Sequence, residues 1–172
     1  ISPDGLKVFS GGDDKSLKIF DIEQALCDHT IKDVHDKAIR SVSISRSGEK
    51  LVSCGDDSVI KIFHVARKEC ISTIEDNSGP LLSVCFNPEE NKIVFGGEGQ
   101  KIKIFDLVTK KCISTFEGGH SDTIRSLCLT PDGSKLISGS SDASIKVFDL
   151  ISGDSLKTLE GAHSKAIWSI SV

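Results

Sequence analysis

The chain has 172 residues, 38% of them hydrophobic and 27% charged, with a formal net charge of −4. These values describe an ordinary globular protein. The acidic balance speaks against a nucleic-acid-binding face, which needs clustered basic residues, and no run approaches the ~20 apolar residues of a membrane helix. Lys101, Lys103, Lys110 and Lys111 are the densest basic stretch and read as solvated surface. The chain starts at Ile1 and contains no Met, so it reads as an excerpt, and the lack of a visible signal peptide carries no weight.

In chain order, the first feature is the turn Ser2-Pro3-Asp4-Gly5, where Pro fixes φ and Gly closes the turn. A short apolar run LKVFSG follows, then a second turn, then SLKIFD (16–21). The same order returns three times. Arg46-Ser47-Gly48-Glu49, Asn87-Pro88-Glu89-Glu90 and Thr130-Pro131-Asp132-Gly133 are the turns; KLVSCG, KIVFGG and KLISGS are the following runs; VIKIFH (59–64), KIKIFD (101–106) and SIKVFD (144–149) match SLKIFD. The phenylalanines Phe20, Phe63, Phe105 and Phe148 are 43, 42 and 43 residues apart. A period of about 43 falls in the range for a four-stranded propeller blade. Residues 38–45 (AIRSVSIS) and 123–130 (TIRSLCLT) supply the first strand of a unit, and CISTI (70–74), CISTF (112–116) and SLKTL (155–159) the fourth, with residues 27–31 a weaker counterpart. Residues 163–171 read as the first strand of a fifth unit, and the first unit lacks that strand. The whole chain is therefore all-β, an array of four-stranded antiparallel units that bury apolar faces by stacking. The unit boundaries fall near 1–34, 35–76, 77–119, 120–162 and 163–172.

These motifs resemble the WD-repeat (WD40) β-propeller family over essentially the full length. Phe stands at the family's Trp place four times, and the final Asp is present as Asp21, Asp106 and Asp149, with His64 replacing it once. The resemblance implies a hydrogen-bonded set of His, Ser and Asp within each blade: Ser10 and Asp14 in the first copy, His35, Ser53 and Asp57 in the second, His120, Ser138 and Asp142 in the fourth, and His163 opening an incomplete fifth. An imidazole donates one hydrogen bond and accepts another, so it bridges carboxylate and hydroxyl. Phe supplies no indole N–H, so the set ends at Ser. In the third copy the three places hold Asn77, Phe95 and Gly99, and apolar packing by Phe95 is expected to stand in. The resemblance also implies a ring of about seven blades, although closure of four is open to the same sequence.

His, Ser and Asp together also match a hydrolytic set. Its recurrence suits a building block, and the Ser is expected to be buried, so no catalytic residue is assigned. The six cysteines contain no C-x-x-C, and Cys27, Cys70 and Cys112 share one repeat place while Cys85 and Cys128 share another. They read as small buried hydrophobes in a reducing compartment, with no metal and no cofactor. The pairs Gly11-Gly12 and Gly96-Gly97 read as turns needing positive φ, not as a phosphate cradle, since no GK[ST] ending follows.

Function is expected in recognition. The family's narrow top face corresponds to Arg40, Leu82, Arg125 and Trp168 and to Asp13, Asp56, Glu98 and Ser141. Trp and Arg are frequent interface anchors. The sequence thus predicts a non-catalytic scaffold for other proteins or peptides in the cytoplasm or nucleus of a eukaryotic cell. A reader of one short peptide motif is the alternative and a propeller hydrolase a distant third. No membrane insertion is expected, and the isolated segment is expected to self-associate through open sheet edges. The adaptor-docking arginine found in some relatives is missing, because its places hold Glu23, Ala66, Val108 and Ile151.

Overall fold

The computed structural model describes residues 1–116 and 119–172, which contain strands and turns and no helix. Fifteen strands form four antiparallel meanders. The first sheet has three strands, β1 (Lys7–Gly11), β2 (Leu17–Asp21) and β3 (Leu26–Ile31). The second holds β4 (Ile39–Ile44), β5 (Lys50–Gly55), β6 (Val59–His64) and β7 (Glu69–Glu75). The third holds β8 (Leu81–Phe86), β9 (Lys92–Gly97), β10 (Ile102–Asp106) and β11 (Lys111–Phe116). The fourth holds β12 (Ile124–Leu129), β13 (Lys135–Ser140), β14 (Ile145–Asp149) and β15 (Ser155–Leu159).

Ile1–Leu81 and Leu82–Val172 are two compact units. The core of the first unit joins Phe9, Leu17 and Ile19 to Val34, Ile39, Leu51 and Phe63. That of the second joins Val94, Ile102, Ile104 and Phe116 to Ile124, Leu127, Leu136 and Phe148. Each core is therefore the seam between two stacked sheets, as expected of units that cannot bury an apolar face alone. Phe63 and Phe148 are buried, each packed in the seam with an earlier sheet of its own unit, and Phe20 and Phe105 are half-buried.

The turns follow the residues. Gly5, Gly48, Glu90 and Gly133 each donate their N–H to the carbonyl three residues back, at 2.8–3.0 Å, and all four have positive φ. The Gly-Gly reading needs correction. Gly11, Gly12, Gly96 and Gly97 do not have positive φ; the left-handed residues of those turns are Lys15 and Gln100, with Ser58 and Ala143 at the same place in the second and fourth repeats. Gly11 is required for another reason. A Cβ there would lie 2.3 Å from Ile39 Cγ2 on the next sheet, and at Gly139, the same repeat place, one would lie 2.8 Å from Ile167 Cγ2. Small residues at this place let the first strand of the next repeat sit down against the sheet. Cys54 fills it in the second repeat and donates Sγ–H to the Leu81 carbonyl at 3.6 Å.

Two further expectations differ from the structure. Residues 163–172 form no strand. They lie along the fourth sheet, with Ile167 N–H bonded to Ser140 O (2.9 Å) and Ile170 N–H to Ser126 Oγ (3.1 Å), but no second strand of their own repeat is there to complete a ladder. The cysteines are not uniformly buried. All six are free thiols; Cys54 is buried, Cys85 and Cys128 are half-buried, and Cys27, Cys70 and Cys112 are exposed. These last three open the outermost strands, where no sheet covers them, and each Sγ instead contacts its own strand's carbonyl two residues on. Burial pushes the Cys85 thiol up to about 12, with Cys128 adding to the shift.

Candidate functional site: polar clasps and the bulge arginines

Two repeats carry a complete buried polar clasp. In the second, His35 Nδ1 lies 2.9 Å from Asp57 Oδ2, and Nε2 lies 2.8 Å from Ser53 Oγ. Asp57 also accepts the backbone N–H of Asp36 (2.9 Å) and of Val59 (3.1 Å). In the fourth, His120 Nδ1 is 2.9 Å from Asp142 Oδ2 and Nε2 is 2.7 Å from Ser138 Oγ. The carboxylate accepts from Nδ1–H, which leaves Nε2 as the acceptor for the Ser hydroxyl. Burial drives both histidines below their ordinary value despite the aspartate beside each, so both are neutral. Burial alone would raise Asp57 and Asp142, but their backbone and side-chain hydrogen bonds outweigh it and hold both carboxyls low. Ser144, which the repeat pattern did not flag, donates its hydroxyl to Asp142 Oδ1 at 2.7 Å and lies 3.1 Å from His120 Nδ1. Its only sequence signal is the spacing Asp-x-Ser, shared with Asp14 and Ser16, where Ser16 N–H bonds Asp14 Oδ1 at 3.1 Å.

The remaining clasp positions are not brought together. Asp14 pairs with Lys18 at 3.4 Å, and half-buried Ser10 makes no side-chain hydrogen bond among the described residues. His163 is exposed, with no hydrogen bond among the described residues, because no Ser or Asp of its own repeat is present to meet it. In the third repeat Asn77 is exposed while Phe95 is buried where the others carry Ser.

The clasp has the connectivity of a hydrolytic triad, but Ser53 and Ser138 are fully buried. A cavity of about 500 Å³ opens beside His120 and Asp142, and Ser138 is not in its wall. The set is therefore built to hold a loop to its sheet. At the opposite sheet end the terminal aspartates cap turns: Asp106 Oδ1 accepts Val108 and Thr109 N–H, and Asp149 Oδ1 accepts Ile151 and Ser152 N–H, all within 2.7–2.9 Å. His64 takes the same role through Nδ1, more loosely, accepting Arg67 N–H at 3.3 Å.

Arg40 and Arg125 are positioned by a feature the sequence does not announce. In β4 against β5, Ile39 pairs with Gly55 and Ser41 with Cys54, so Arg40 is the extra residue of a β-bulge. In β12 against β13, Ile124 pairs with Ser140 and Ser126 with Gly139, which makes Arg125 the extra residue. A bulge redirects the side chain it carries. Arg40 turns to two carboxylates: Nε and Nη2 donate to Asp56 at 2.8 and 2.5 Å, and Nη1 to Asp13 at 3.1 Å. These bonds, after partial loss of solvation, hold its guanidinium above the ordinary arginine value, with Asp56 the main cause. Arg125 finds Ser141 instead, at 2.7 Å from Nε, and lies 4.2 Å from the centroid of the Trp168 ring. Trp168 is 69% exposed. Glu98 is exposed, and Leu82 is half-buried on β8.

Four segments, residues 1–21, 26–64, 68–106 and 110–149, match the family model described as WD domain, G-beta repeat. The chain belongs to the WD40 repeat family. The four meandering sheets are its blades, and repeats of this family generally act as protein-interaction scaffolds. No curated protein matches the chain. Among the described residues of this WD40 segment, no helix is long and apolar enough to cross a membrane, and no group of three His, Cys, Asp or Glu side chains is placed to hold a metal ion.

Proposed function

We propose that this segment is a non-catalytic interaction module whose contact residues are those around the bulge arginines: Arg40, Asp13 and Asp56 in the first unit, and Arg125, Trp168, Ser141, Glu98 and Leu82 in the second. The observation that carries the reading is the Arg125–Trp168 stack, an exposed aromatic held against a cation at 4.2 Å. Such pairs are the side chains that dominate interface energetics when a partner covers them. The buried state of both clasp serines supports the non-enzymatic part of the reading. The same reading takes the four repeats as part of a larger ring of about seven.

The test is to replace Trp168 and Arg125 singly by Ala, check the thermal unfolding curve, and compare partners quantitatively with wild type. Both variants are expected to melt as wild type does and to lose binding. Retention of the full partner set by both removes this surface from the proposal. Size-exclusion chromatography addresses the ring: association supports a larger one, and a cooperative monomer favours closure of four.

A further inference from the structure

The two bulge arginines occupy equivalent repeat places, yet one is satisfied and the other is not. Arg40 spends Nε, Nη1 and Nη2 on Asp56 and Asp13. Arg125 spends only Nε, on the neutral hydroxyl of Ser141, which stands where Asp56 stands in the second repeat. Among the described residues it makes no ion pair. Glu98 occupies the repeat place of Asp13 and, among the described residues, makes no hydrogen bond or ion pair with Arg125.

A guanidinium fork matches a carboxylate or phosphate with two parallel hydrogen bonds. The Nη groups of Arg125 present that fork, and stacking on Trp168 fixes its plane before any ligand arrives, which lowers the ordering cost of binding. Trp168 itself offers an exposed apolar surface to whatever flanks the anion.

We propose that Arg125, backed by Trp168, is the docking point for an anionic side chain of an extended peptide, carboxylate or phosphate, and that Ser141 keeps the seat open by not filling it. The proposal rests on the interaction-module reading and specifies its ligand. Arg40 is the internally closed version of the same device.

Trp168 is the only tryptophan and the chain has no tyrosine, so intrinsic fluorescence reports on this site alone. The 172-residue chain is titrated with a capped Gly/Ala peptide carrying a central Glu, and with its phosphoserine and Gln counterparts. A saturable response to the Glu or phosphoserine peptide, at least tenfold stronger than to the Gln peptide, is expected; whichever of the two binds tighter identifies the anion. Ser141→Asp is expected to close the fork as Asp56 closes that of Arg40, weakening binding at least tenfold with an unchanged circular dichroism spectrum. The proposal is overturned by an equal response to the Gln peptide, by no saturable response to either anionic peptide, or by wild-type binding in Ser141→Asp. If the peptides fail while Arg125→Ala and Trp168→Ala still lose protein partners, the anion assignment falls and the interaction surface stands.

Discussion

The second and fourth repeats close their loops with a buried His–Ser–Asp clasp, whereas the third puts Phe95 at the Ser place and carries Asn77 and Gly99 at the others. All three clasp residues are absent there together. A clasp missing one partner leaves buried donors or acceptors unpaired, while a wholly apolar replacement leaves none. Indeed, no buried side-chain nitrogen or oxygen among the described residues lacks a hydrogen-bond partner. Two chemically unlike solutions therefore support the same kind of sheet.

The largest effect is expected from mixing them. Phe95→Ser deletes a buried ring and is expected to destabilise by about 3–5 kcal/mol in denaturant unfolding. Adding Asn77→His and Gly99→Asp to it should recover part of that loss; a triple variant no more stable than the single one would mean the clasp needs more than its three members. Next, Asp142→Ala strands His120 Nδ1–H and the N–H groups of Ser121 and Ser144, at a cost of about 1–3 kcal/mol. Asp57→Ala should cost less, because that carboxylate has no counterpart of the Ser144 hydroxyl.

Acid should separate the two solutions further. The folded histidines titrate below their ordinary 6.5, so the unfolded chain binds more protons as pH falls through that value, and stability is full above it and declines below it. The low folded values of Asp57 and Asp142 add a second decline below the ordinary 3.8. Hydrogen-exchange protection factors, which divide out the slower intrinsic exchange in acid, are expected to fall from pH 7.5 to pH 5 more in β5 and β13 than in β9; an equal fall in all three would contradict it. The smallest effect concerns the turn caps. His64→Asp should give the second repeat the tighter cap of Asp106 and Asp149, raising stability by about half a kcal/mol.

Much of this was legible in the residues. The spacing of the phenylalanines set the repeat and Pro and Gly marked the turns, because each follows from side-chain type at a fixed place; the clasp of His35, Ser53 and Asp57 was legible only through the resemblance to the WD40 family. What was hidden depends on backbone hydrogen bonding and close approach. Arg40 and Arg125 are bulge residues only by a slip in ladder register, which alternation of residue types does not encode. Gly11 looked like a turn glycine and is in fact a seat for Ile39, a residue 28 positions away. The cysteines of the fourth strands looked apolar enough to be inside, yet nothing covers that strand.

The outermost strands carry a bulge of their own, repeated four times. Opposite each motif phenylalanine the ladder skips one residue, Asp28, Ile71, Ile113 or Leu156. An uninterrupted outer edge would be a template for strands of other molecules. The skipped residue breaks that template at its middle and adds local twist, so the apolar side chains it exposes at three of the four sites sit on a border poorly shaped for fibril growth.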